Sequence, residues 1–148
     1  MAAPWWPTTA DVAALLTART RGASGEEVGD FTADTRPTSE QVESLIEQSA
    51  NLLTALTGGQ DLPEGVATDA MRSLVSLRTA MSVELAFFPE QVGTDSSPFD
   101  KLQSMYRDEF DAVAKLVDIE ISKEVIETDL VSGRARHTFP PPSTTWRY

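Results

Sequence analysis

Four stretches of this chain carry apolar residues at steps of three and four, and clusters of proline and glycine separate them. That pattern constrains the fold more than any other feature, because a 3.6-residue period buries a face only as an α-helix. The prolines and glycines gather near 4–7, 22–37, 58–65 and 139–142. These are the expected breaks between elements.

The first stretch follows Thr8 or Thr9 as cap, has Asp11 in its first turn, and carries Val12, Leu15 and Leu16 as a stripe. Arg19 and Arg21 lie near its end and Gly22 stops it. The second opens on Thr38 and Gln41, the spacing of a capping box. Val42, Leu45, Ile46, Ser49, Leu52, Leu53 and Leu56 then trace one face up to Gly58 and Gly59. The third is expected to start at Pro63, which suits a first helical position, and to end before Pro89. Its face is Val66, Ala70, Met71, Leu74, Leu77, Met81, Leu85 and Phe88. A continuous run of that length spans about 38 Å and predicts the central helix. In the fourth, Ser96 or Ser97 caps and Pro98 lies inside the start. Phe99, Leu102, Tyr106, Phe110, Val113 and Val117 recur over about five turns. Residues 119–126 read equally as a helix extension or a strand.

The expected fold is therefore all-α: a four-helix, bundle-like domain over residues 1–130, with an extended loop and an extended C-terminal arm over 131–148. Residues 22–37 form no helix. They read either as a loose surface loop or as a functional one in which Val28, Phe31 and Thr32 run as a short strand or arm. In the last segment, Pro140, Pro141 and Pro142 impose an extended, polyproline-like course.

Charge divides the chain in the same place. The formal net charge is −11, and all 23 acidic residues lie at or before Asp129. The body sets nine cations against those acids, near −14. The segment from Val131 onward has Arg134, Arg136 and Arg147, one histidine and no acid, near +3. Such an acidic body disfavours gripping phosphate backbones, since that affinity comes from cationic side chains displacing counterions. The basic segment reads either as a solvated tail or as an arm that docks on an acidic neighbour.

Nothing in the sequence assembles an active site. The only histidine, His137, has no carboxylate at helical spacing and reads as exposed or partner-contacting. No HExxH, GxGxxG or Walker A pattern occurs, and the glycines at 22, 25 and 29 lead into no helix. The acids at Glu26–Glu27 and at Asp108, Glu109 and Asp111 belong to a loop and to polar helix faces. The chain has no cysteine, which removes disulfides and thiolate metal sites. No cofactor and no catalytic or metal-binding residue is expected. No apolar run approaches the roughly 20 residues that cross a bilayer, and residues 1–7 lack the pattern of a signal peptide. The default expectation is a soluble, cytoplasmic protein without a membrane partner.

Large aromatics sit outside the four stripes. Trp5 and Trp6 precede the first helix, and Trp146 and Tyr148 close the chain. Such residues are enriched where surfaces are buried between partners; packing of the ends on their own domain is the alternative. Trp5, Trp6, Phe31, Arg36, Arg134, Arg136, Phe139, Trp146, Arg147 and Tyr148 are the candidate intersubunit contacts.

The stretch PWWPTTADVAALLTARTR and then GDFTADTRPTSEQVESLIEQSANLLTALTG resembles the N-terminal half of head-to-tail connector or adaptor proteins of actinobacterial siphophages. FTADTRPTSEQV, residues 31–42, resembles that family's link into its first long helix. ELAFFPEQ and SPFDKLQSMYRDEFDAVAKLV resemble its third and fourth helices. The resemblance covers most of residues 4–118, and the segment beyond Val131 matches nothing in it. It implies a helical subunit of a dodecameric ring beneath the portal protein, in the neck of the virion and in the host cytoplasm during assembly. Neighbouring copies, the portal and the next connector, stopper or tail protein are the implied partners, and DNA passes through the lumen without specific binding. A head-completion or tail-completion protein at another level of the neck is the nearest alternative. An acidic helical regulator of antitoxin type is a further one.

Overall fold

The computed structural model describes residues 3–131 and is all-α. Four helices follow in order: α1 (Thr9–Leu15), α2 (Ser39–Thr57), α3 (Val66–Phe87) and α4 (Phe99–Val131), with a 3₁₀ turn at Thr17–Arg19 after α1. Among the described residues there is no strand; Arg21 and Glu27 form one isolated antiparallel bridge.

α3 is the centre, packing on each of the other three helices. Two buried clusters stack along it. One joins Val12 and Leu16 of α1 to Val42 and Ile46 of α2, Leu77, Ala80 and Val83 of α3, and Leu102 of α4. The other joins Ala50 and Leu53 of α2 to Met71, Leu74 and Val75 of α3, and Val113 and Val117 of α4. Trp6 and Tyr106 pack against both and tie them together.

The expected capping box at Thr38 forms, and Thr8, one of the two caps expected for the first helix, makes a second box with Asp11. The Thr8 hydroxyl accepts from the Asp11 amide at 3.3 Å, and the Asp11 carboxylate accepts from the Thr8 amide at 2.7 Å. Thr38 and Gln41 repeat the exchange at α2, at 3.4 and 3.0 Å. α2 ends on Gly58 with φ 60°, a left-handed turn that costs a side-chain-bearing residue strain but not glycine.

Several boundaries differ from expectation for local reasons. α1 makes only two turns and tightens into the 3₁₀ turn before Arg21. α3 starts at Val66, not at Pro63, and spans about 33 Å. Gly65, at φ 152°, turns the chain into the helix. The Pro63 carbonyl instead accepts the Thr68 hydroxyl at 2.7 Å. α3 ends at Phe87, and Phe88 before Pro89 leaves helical geometry as the proline ring requires. At α4 the Pro98 carbonyl accepts the Leu102 amide, so Pro98 occupies the cap position that Ser96 or Ser97 was expected to hold. The stretch after Asp118 is a helix extension, and α4 runs on to Val131, the residue expected to open the arm.

Residues 22–37 are neither strand nor loose arm. Glycine turns and the Arg21–Glu27 bridge shape the first half, where the Val28 amide donates to the Thr20 carbonyl at 2.8 Å. In the second half Phe31 enters the α1–α2–α3 cluster. The buried Thr35 hydroxyl accepts the Thr32 amide at 2.8 Å and lies 2.7 Å from the Pro37 carbonyl oxygen. The Arg36–Pro37 peptide is cis.

Candidate functional site

Glu84 is a fully buried carboxylate in the last turns of α3. It occupies the register of the inward face, four residues after Ala80 and seven after Leu77, so an apolar side chain is the ordinary occupant there. An unpaired charge at such a depth is prohibitively costly. Three hydrogen bonds from two residues in two other segments satisfy it. Arg19, in the 3₁₀ turn, donates from Nε to Oε1 at 2.8 Å and from Nη2 to Oε2 at 2.9 Å. Ser97, in the loop before α4, donates its hydroxyl to Oε2 at 2.9 Å and accepts the Phe99 amide at 3.2 Å. The Arg19 guanidinium also lies 4.0 Å from the centre of the Phe88 ring, within cation–π range. One bidentate pair thus pins the turn after α1, the end of α3 and the start of α4 at a single point.

Arg19 has an outer side. It lines an open depression of about 410 Å³ together with Arg21, Arg36, Phe88, Gln91 and Ser96. Arg21 reaches Glu27 only at 3.8 Å, and both of those side chains are more than half exposed. Arg36 is exposed and makes no ion pair among the described residues. Beyond Arg19 a second depression of about 310 Å³ continues past Leu16, Asp95 and Pro98. A body with a large excess of acids therefore gathers three arginines around one cleft. Near it, the Ser24 hydroxyl and backbone amides hold the exposed Glu26 carboxyl below the usual range.

The candidate contacts from the sequence fare unevenly. Trp5 is 2% exposed and sits in the α2–α3–α4 cluster, its ring edge-on to Trp6 at 6.3 Å. Phe31 is 3% exposed and belongs to the other cluster. Both are covered by their own chain, which corrects the expectation that a neighbour covers them. Trp6 is half-buried, and Arg72 fastens the same segment by donating to the Pro4 carbonyl at 2.6 Å. Arg36 keeps its place at the surface. Arg134, Arg136, Phe139, Trp146, Arg147 and Tyr148 lie outside the described residues.

Arg19, Arg21, Glu84, Phe88 and Ser97 were not among the predicted contacts. The available signal was Glu84, a charged residue in the register of the core. The apolar stripe read from sequence passes instead through Leu85, its neighbour, which is 52% exposed.

Comparison of the chain with family models, with curated proteins and with solved structures gave no match.

Proposed function

We propose that the chain is a structural subunit of a virus particle: a head–tail adaptor that assembles as a dodecameric ring beneath the portal protein. In that place it extends the channel through which DNA leaves and docks the next connector, stopper or tail protein. The observation that carries this reading is the resemblance of residues 31–42 to the adaptor family's link into its first long helix. The fold supports it locally. That stretch is a fixed joint, with Phe31 in the core, Thr35 hydrogen-bonded inside the turn and Thr38 capping α2. The acidic body suits a lumen that must let phosphates slide past. Arg134, Arg136, Phe139, Trp146, Arg147 and Tyr148 are proposed to hold the portal or an adjacent copy.

The test is co-purification with the portal protein of the same virus, sized by light scattering. The full chain is expected to co-elute as a ring-sized assembly, and deletion of residues 132–148 is expected to weaken it. Unchanged binding by the deletion variant removes the role given to the arm. A full chain that never joins the portal removes the adaptor reading.

A further inference from the structure

The arginine cleft holds one guanidinium, that of Arg36, with no ion pair among the described residues, and a second, that of Arg21, held only at 3.8 Å. We infer that it receives the glutamate-bearing flank of α2 from a second copy of this chain, an assignment that rests on the ring reading and specifies one of its contacts.

Arg21 and Arg36, both exposed, line one depression with the largely buried Arg19 and with Phe88. Arg19 is committed to Glu84, Arg21 is held loosely by Glu27, and Arg36 has no ion pair among the described residues. The cleft thus presents the guanidinium groups of Arg21 and Arg36 beside Phe88, which suits carboxylates carried on a stiff backbone. The chain's own last segment has the wrong sign, with three arginines and no acid after Asp129.

Among the three long helices, α2 is the one whose acids stand alone; in the two-turn α1 the single acid, Asp11, is taken up by the cap at Thr8. Its sequence, SEQVESLIEQSANLLTALT, contains Glu40, Glu43 and Glu47 and no lysine or arginine. All three are exposed. Their spacing of three and four puts them along one flank, over about 10 Å of helix, beside the buried row of Val42, Ile46 and Ala50. On α4, by contrast, Lys101, Arg107, Lys115 and Lys123 interleave with the acids. A cleft that meets a different face of the next copy is a heterologous contact, the kind that closes into a ring.

Because the chain has no cysteine, the contact can be trapped cleanly. Full-length Arg36→Cys and Glu47→Cys chains are mixed under mild oxidation, both alone at high concentration and bound to the portal. The expected product is the mixed disulfide dimer, well in excess of either homodimer and falling as salt is raised. Ala112→Cys, exposed on α4, serves as the distal control for Glu47→Cys. With the same two cysteines in place, Arg21→Glu added to the Arg36→Cys chain should lower the yield of mixed dimer, and Glu43→Lys added to the Glu47→Cys chain should restore it. Mixed dimers no more abundant than with the control, in both settings, overturn the assignment. If the chain still rings the portal in that case, the adaptor reading survives without this contact. If it joins neither itself nor the portal, both fall. Direct binding of both a polyglutamate peptide and inorganic phosphate, lost in Arg21→Glu/Arg36→Glu and with no mixed dimer, would overturn the assignment and identify the cleft as an anion site for something other than a second copy.

Discussion

Removing the Arg19 guanidinium would leave the Glu84 carboxylate buried with one hydroxyl as its partner. Truncating one member of such a pair costs about 3–5 kcal/mol, whereas replacing both with apolar groups of similar size is often close to neutral. Arg19→Met is therefore expected to lower the unfolding free energy measured by urea titration by that amount, and Arg19→Met with Glu84→Leu to recover most of it. Equal losses in the single and double variants would show that the pair is not coupled. Trp5 and Phe31 make a second residue-scale case. If they fill the core, alanine at either should cost about 3–5 kcal/mol of folding stability. Alanine at the half-buried Trp6 should cost less. A Trp5→Ala chain that folds as stably as the parent, yet no longer assembles, would return Trp5 to the role of a contact residue. Sequence left Trp5 open between a neighbour and its own domain and pointed Phe31 to a neighbour, because both lie outside any periodic element and tertiary packing alone decides them.

At the scale of elements, the readable parts were those with a local cause. The Thr38–Gln41 box, the Gly58 stop and the long apolar row of α4 follow from hydrogen-bond and steric rules acting within a few residues. Gly58→Ala is accordingly expected to cost about 1 kcal/mol, since alanine must take up the left-handed turn. Thr38→Ala should cost about as much through the lost cap. Both are measurable by thermal melts with the rest of the chain unchanged. The illegible parts depended on distant partners. Leu52, Val66 and Leu85 fit their stripes yet are 55%, 75% and 52% exposed. A stripe drawn by polarity follows apolar residues, whereas the buried face of α3 runs through Glu84, one step of about 100° away from Leu85. The Arg19–Glu84 pair joins residues 65 apart in sequence, a separation that no local pattern encodes. Hence the site was the least readable feature, although each of its charges was visible.

For the whole molecule, the account joins an α-helical body, stacked along α3 in two clusters, to surfaces that bear opposite charge in different places. The acid-only flank of α2 and the arginine cleft are complementary, and the segment after Asp129 adds a basic extension. A body of this sign is expected to stay apart from itself at low concentration and to assemble when a template raises the local concentration of copies. Association with the portal should therefore be cooperative in chain concentration, and a titration followed by light scattering would show it. Simple one-to-one binding at every ratio would speak against neighbour contacts.

The most direct measurement is an electron cryo-microscopy reconstruction of the assembled neck containing this chain. The account predicts a ring of copies coaxial with the portal, with the arginine cleft of each copy against α2 of the next. A reconstruction in which the chain is absent from the neck, or present as isolated copies that do not touch, would contradict it.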